Sequence, residues 1–454
     1  MAFALAMRRL EPQENVTMQA TQVKLPLAWV NSDGKLLMLA RGLRTVAQGI
    51  IAVLLAIYLD KLGFSLAQIG LVITAGLVGA IPYAVFTSLL ANRLGQRRLL
   101  VAFSLAAAIM GVALATVQSL PALMALAFLT SFAGGGGGNG GPLVALEQAG
   151  LTDSAPPPKR TDLFALFNIV STAAMAIGSL AAGLPQVLQD SFGMGEMAAF
   201  RAIMAAYAAL NLGAVACYAL LSPRIEAAEA GQTFTNPFKL PSRRVIFTIS
   251  GLFGLDFFAG GLILQSLVSL WFYSRFGVKL TSIALIFFAA QLMSAVPLWL
   301  ASKLSDRIGL INTIAWTNAV AAFLLMAIPF VPALWMAVAL WLARSFFNQM
   351  DVPARQSYTM TVVGPEERVP MSSINSLTRS VAVAGSPSVA TWLWSIASGG
   401  LPFFVTGALK LVYDVALWAM FHNVKTPEEQ RRAEERARRR KKAVTPAGRK
   451  EGEG

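Results

Sequence analysis

Three groups of ionisable residues set in otherwise apolar stretches are the places where this sequence could do chemistry. Arg344, Asn348, Asp351 and Arg355 recur at i, i+4, i+7 and i+11, a spacing that shares one face of a continuous helix. Arg41, Arg44 and Gln48 follow i, i+3, i+7 in an earlier apolar stretch, and Asp256 lies about ten residues into a later one. Lys410 and Asp414 stand one turn apart in GALKLVYD. A charge at the centre of a bilayer costs about 2.5–3.5 kcal/mol on insertion scales, so each group needs a reason to be there.

Two readings of these charges stay open. Arg344, Asp351 and Arg355 form either an internal ladder of ion pairs or part of a ligand path, with Pro353 bending the helix that carries them. Asp256, at the depth of Arg344, could carry a proton if left unpaired, whereas pairing with Arg344 would make it a gate or a scaffold. Arg44 is deep enough to touch a ligand, while Arg41 is expected among lipid headgroups. Lys410 with Asp414 reads as a structural ion pair, and Arg379 as an anchor at the start of its span.

The inventory excludes several chemistries. One cysteine, Cys217, and one histidine, His422, cannot supply a disulfide framework, a Cys/His metal site or a catalytic set. Neither catalytic residues nor a cofactor nor a metal is expected. No G-x-x-x-x-G-K-[ST] run appears, so a self-contained ATP-driven pump is not expected either.

The surrounding elements are membrane spans. Of 454 residues, 56% are hydrophobic and 13% charged, about half the charge of a soluble domain. About twelve stretches reach the roughly 20 apolar residues a spanning helix needs: 36–58, 66–90, 99–118, 121–146, 163–188 and 197–221, then 245–273, 281–302, 310–331, 333–360, 371–397 and 401–422. The formal charge of +14 does not imply nucleic acid, because the basic residues gather in alternate loops and in the run RRAEERARRRKKAVTPAGRK, following the positive-inside bias. Both termini are therefore expected on the cytoplasmic side of an inner membrane, with the basic tail able to touch anionic lipid. The expected division is an arm over 1–35, a bundle over 36–221, a polar linker over 222–244, a second bundle over 245–422 and a basic tail over 423–454.

An internal repeat organises these spans. At an offset of 214 residues Gly63 meets Gly277, Leu66 meets Leu280, Ile69 meets Ile283, Arg93 meets Arg307 and Gly95 meets Gly309. With small gaps, Pro142 meets Pro353 and Arg160 meets Arg368. The two loops, S-LLA-NRLGQRR and S-KLS-DRIG, resemble the G-x-x-x-D-R-x-G-x-R-R signature of the major facilitator superfamily. That resemblance, over roughly residues 36–422, implies an all-α membrane protein of two parallel six-helix bundles. The family's loop cluster latches one conformation of a transport cycle. Here it corresponds to Asn92, Arg93, Gly95, Arg97 and Arg98 in the first half and Asp306, Arg307 and Gly309 in the second, with Glu147 as a partner for Arg97. The sequence departs from the signature at Asn92, which replaces the acid, and at Leu310–Asn312, which replace the following bases.

The resemblance also implies a function. It points to a secondary transporter, a monomer, moving a small organic molecule by alternating access, with export as the expected direction; the expected coupling to protons rests on Asp256 and Asp351. Uptake or exchange of an anionic metabolite is the alternative, and a scaffold or receptor descended from a carrier is the reading from another class. The fourth span, with Thr130, Ser131 and Asn139 but no base, lacks the arginine common in proton-driven drug exporters. Its run FAGGGGGNGGP reads either as a hinge or as a site of close helix packing.

Overall fold

Residues 29–130, 142–152, 154–156, 159–223, 241–295, 297, 300, 304–305, 308–363, 367–397 and 399–422 are described by a computed structural model. The first half contains α1 (Ser32–Lys61), α2 (Leu66–Leu94), α3 (Gln96–Thr116), α4 (Leu120–Thr130), α5 (Pro142–Thr152), α6 (Arg160–Ala181), α7 (Leu184–Phe192) and α8 (Glu196–Ala219). The second contains α9 (Arg243–Leu262), α10 (Gln265–Phe276), α11 (Leu280–Ala295), α12 (Leu310–Ala327), α13 (Leu334–Asn348), α14 (Asp351–Thr361), α15 (Arg368–Ala384), α16 (Ser386–Ile396) and α17 (Leu401–Phe421). Among the described residues, eight helical stretches are long and apolar enough to cross a membrane, and Leu120–Thr130 and Leu280–Ala295 are shorter apolar helices. Each of the twelve apolar stretches of the sequence overlaps one or two of the described helices.

Three of the breaks, between α6 and α7, α13 and α14, and α15 and α16, follow from proline. A proline offers no N–H to the carbonyl four residues before it, so the helix tends to end there. α6 ends at Ala181, four residues before Pro185, and α15 ends at Ala384, next to the carbonyl that Pro387 leaves without its helical donor. Pro353 acts in the same way on Gln349, so the expected bend is a full break between α13 and α14. Pro353 then sits in the first turn of α14, where its missing N–H costs nothing.

The repeat is visible in both turns and packing. Gly63, Gly95, Gly277 and Gly309 have φ of +87°, +86°, +58° and +91°, a region in which a Cβ would be strained. Helix α1 packs on α6 and α8, and α3 on α8; correspondingly α9 packs on α15 and α17, and α12 on α17.

Three apolar cores divide the bundle along its length. Around Leu37, Leu100, Phe167 and Tyr218 the packing is confined to the first half, and around Ile249, Phe253, Tyr358 and Tyr413 to the second. Both of these lie toward the end where α1 begins and α17 finishes. The third core joins the halves at the opposite end, with Leu54, Tyr58, Leu267, Trp271, Phe272 and Phe403 in one cluster. There α2 meets α16, α1 meets α10 and α6 meets α11. The α2–α16 seam is tight: a Cβ on Gly70 would collide with Thr391 Oγ1, and Thr74 shares a 2.8 Å hydrogen bond with Ser388.

Candidate functional site

The ionisable residues gather into two buried clusters, one in each half. In the first, α1 carries Arg41 and Arg44 against Glu147 of α5. Arg44 Nη2 lies 2.8 Å from Glu147 Oε1 and Arg41 Nη1 lies 3.4 Å from Oε2. Tyr218 of α8 donates its hydroxyl to the same carboxylate. Arg41 Nε donates to Ser171 of α6 at 2.7 Å, and its guanidinium lies 5.1 Å from the centre of the Phe167 ring. Three helices thus supply the anion and its partners, and a fourth, α6, holds Arg41. Three groups on a fully buried carboxylate compensate its desolvation, which is the condition for a buried charge to persist.

This arrangement corrects two expectations. Arg41 is not at the headgroups but fully buried, because Glu147 and Ser171 draw it inward. Glu147 is engaged by α1, so it does not partner Arg97, which instead donates to the carbonyl of Ala219 at the end of α8. Gln48, half-buried on α1, makes no hydrogen bond among the described residues.

In the second half, Asp256 of α9 is the shared anion. Lys410 Nζ on α17 lies 2.6 Å from its Oδ1, and Arg355 Nη1 on α14 lies 2.8 Å from its Oδ2. Arg355 also pairs with Asp351, one turn away. Its guanidinium stands 4.9 Å from the Phe253 ring centre and 5.6 Å from that of Tyr413, a cation–π cage that replaces part of the lost hydration.

Here too the geometry departs from the sequence reading. The i, i+4, i+7, i+11 face assumed one continuous helix, and the break at Gln349–Met350 separates Arg344 and Asn348 from Asp351 and Arg355. Asp256 accordingly pairs with Arg355 rather than Arg344. Lys410 pairs with Asp256 rather than Asp414, since its long side chain reaches across to α9. Asn348 is half-buried with no hydrogen bond among the described residues. Arg379 is exposed and lies 5.4 Å from the Phe257 ring centre.

Arg344 stands apart. It is 9% exposed and has no ion pair among the described residues; its guanidinium lies 4.7 Å from the Trp341 ring centre. Trp341 packs edge-on against Phe272 and Phe287, and its indole N–H is buried without an acceptor among the described residues. Among the described residues Arg344 thus lacks an ion pair and Trp341 an acceptor, one turn apart on α13 at the boundary with the core that joins the halves.

Sequence reasoning missed Tyr218, Ser171, Asn318, Trp341 and Tyr413. Asn318 was the easiest to find, as an amide in the apolar run LINTIAWTNAVAAFLLMA. Of the loop cluster, Gly95 and Gly309 hold the turns, Arg98 is exposed, and the side chains of Asn92 and Arg93 lie outside the described residues. So do Asp306, Arg307, the glycine-rich 131–141, residues 1–28 and 224–240, and the tail from 423.

No curated protein matches the chain in sequence. Among solved structures, the nucleoside transporter NupG superposes with a TM-score of 0.69 at 15% identity, covering 86% of this chain and 99% of that one. A D-xylose–proton symporter gives 0.64 at 15%, covering 85% and 97%. The human organic anion transporter MFSD10 gives 0.56 at 18%, covering 85% and 99%. At these identities the likeness is one of fold. The family model described as Major Facilitator Superfamily matches residues 37–343 and 300–450, and with the duplicated bundle and the matched loop glycines the chain belongs to the major facilitator superfamily of membrane transporters.

Proposed function

We propose that this protein is a monomeric secondary active transporter of the cytoplasmic membrane that exports a small organic anion in exchange for protons. In this reading residues 36–221 and 245–422 are the rocking bundles. Residues 222–244 form a cytoplasmic linker, and residues 1–35 and 423–454 are cytoplasmic extensions. Basic residues concentrated at the end bearing the termini support that orientation. Among the described residues the apolar core shared by the halves lies at the other end, which supports an inward-facing arrangement.

The observation that carries the solute class is Arg344, a buried guanidinium with no ion pair among the described residues, beside the Trp341 indole N–H, which has no acceptor among them. A carboxylate, sulfonate or phosphate on the solute can accept from both, and the Trp341, Phe272 and Phe287 rings suit an apolar body. Charge movement supports the direction. A membrane potential of 100 mV is worth about 2.3 kcal/mol per charge, and an anion leaving while a proton enters runs down that potential twice. The neighbouring folds handle nucleosides, xylose and organic anions, so fold alone does not select the solute.

The test is thermal unfolding of the purified protein against a panel of small organic anions and lipophilic cations. Ligand at one hundred times its Kd stabilises the folded state by about 2.7 kcal/mol. Anions are expected to raise the melting temperature, and Arg344→Gln to abolish the rise. Stabilisation by lipophilic cations alone would overturn the anion reading.

A further inference from the structure

A continuous polar chain runs from the transport helices to the outer helix α17. Arg355 and Lys410 share Asp256. Lys410 Nζ also donates to Asn318 Oδ1 of α12 at 3.4 Å. Asn318 Nδ2 in turn donates to Asp414 Oδ1 at 3.3 Å. The chain ends on an unmatched atom: Asp414 is 3% exposed, and its Oδ2 is buried without a hydrogen-bond partner among the described residues. A bare carboxylate oxygen in that setting is costly, and two things can relieve it: a proton, or a cation that moves to it.

The surroundings narrow the choice. Helix α17 packs on α12 and α9 and meets α16. Neither α12 (LINTIAWTNAVAAFLLMA) nor α16 (SPSVATWLWSI) contains an ionisable residue. From α9 the charged group facing this region is Asp256, with Arg355 and Asp351 of α14 behind it. On α17 itself the neighbours are Lys410 and Tyr413, whose hydroxyl has no partner among the described residues. The ammonium within range of Asp414 is thus that of Lys410, one helical turn away on the same face. Asp256 retains Arg355 at 2.8 Å when Lys410 leaves, so the exchange abandons no anion.

We propose, building on the transporter reading above, that Asp414 is the proton-binding site and that Lys410 exchanges between Asp256 and Asp414 during the cycle. In the arrangement seen here Asp414 carries a proton on Oδ2 and Lys410 is bound to Asp256. On release, the Asp414 O–H bond breaks and the proton passes to water. Lys410 keeps its three protons, gives up its hydrogen bond to Asp256 and donates to the new carboxylate. Asp256 is left paired with Arg355. Proton occupancy at α17 thereby sets how tightly α9 and α14, the helices carrying Asp256 and Arg355, are tied to the outer helices.

Infrared difference spectroscopy on the purified full-length protein, between about pH 5 and about pH 9, reads this directly, because a protonated carboxyl absorbs apart from carboxylates. A titrating carboxylic-acid band is expected in the wild type. It should be lost in Asp414→Asn, persist in Asp351→Asn, and shift in frequency in Asp414→Glu, which keeps the group if the amide variant fails to fold. Lys410→Met, with no ammonium to exchange, should move the titration to higher pH. A band that survives Asp414→Asn, or keeps its frequency in Asp414→Glu, would overturn the assignment. This readout uses protons alone, so it stands or fails separately from the anion dependence of Arg344.

Discussion

Replacing Glu147 by Gln keeps the side chain's shape and removes the anion that two buried guanidinium groups share. Arg41 is fully buried and Arg44 is 5% exposed, so neither can recover its hydration without moving a helix. Arg41 retains Ser171 at 2.7 Å and the Phe167 ring. Arg44 retains less, since its Nε lacks a partner among the described residues even in the intact cluster. Removing one partner of a buried ion pair costs about 3–5 kcal/mol. For a unit of roughly two hundred residues each kcal/mol moves the melting temperature by about 2–4 °C, so Glu147→Gln should lower it by on the order of 10 °C.

Thermal unfolding of the detergent-purified protein, followed by tryptophan fluorescence, measures this. The sharper form is a double-mutant cycle with Arg44→Gln, which removes the cation left uncompensated. Residues in direct contact couple by about 0.5–3 kcal/mol, so the double variant should melt above the sum of the two single losses. If Glu147→Gln melts within about 2 °C of the wild type, or if the two losses simply add, the cluster does not hold α1 to α5 and the reasoning fails.

Tyr218→Phe deletes a hydrogen bond to that same carboxylate and should cost about 1.5–3 kcal/mol of stability; an unchanged melting temperature would remove Tyr218 from the cluster. Asp256→Asn and Lys410→Met should each destabilise through the partner left behind, and the double variant should recover much of the loss; strict additivity in the melting temperatures would contradict the 2.6 Å pair. Gly70→Val places a methyl-bearing Cβ where Thr391 Oγ1 stands and should open the α2–α16 seam. In a Cys217→Ser background, a Ser388→Cys reporter should then be alkylated about tenfold faster, as roughly 1.4 kcal/mol against the joined form would give; an unchanged rate would mean the seam yields elsewhere.

The fold was legible because the features that specify it are local. Apolar length gives the spans, and the glycines of the loops give the repeat, since Gly95 and Gly309 each need a backbone that other residues adopt only with strain. The charged residues of the buried clusters were legible as well, because a charge in an apolar run is conspicuous wherever it points, whereas uncharged partners such as Tyr218 and Ser171 were not. Their pairing was not. Lys410 and Asp414 at i, i+4 fit one another by spacing, yet Lys410 reaches Asp256, which lies 154 residues away in sequence. Pro353 was visible, but its full consequence, a break that detaches Arg344 from Asp351, depends on how Gln349 and Met350 leave the helix. Long flexible side chains and one disrupted carbonyl decide such matters in three dimensions.

The two clusters occupy equivalent places in the repeat with opposite polarity. In the first half the bases stand on α1 and the acid on α5; in the second the acid stands on α9 and the base on α14. No residue pair in the repeat predicts this, for at the offset of 214 Arg44 falls on Phe258 and Asp256 falls on Gly42. What the halves share is the crossing of the first and fourth spans, where four helices converge and a lone charge would be uncompensated. The physics at such a crossing requires a countercharge and is indifferent to which helix supplies which sign. Among the described residues both clusters leave an arginine Nε unmatched, on Arg44 and on Arg355, but the second half adds a carboxylate oxygen on Asp414 without a partner. Of these loose ends the bare carboxylate oxygen is the one a proton can relieve, which is why the proposed proton site lies in the second half.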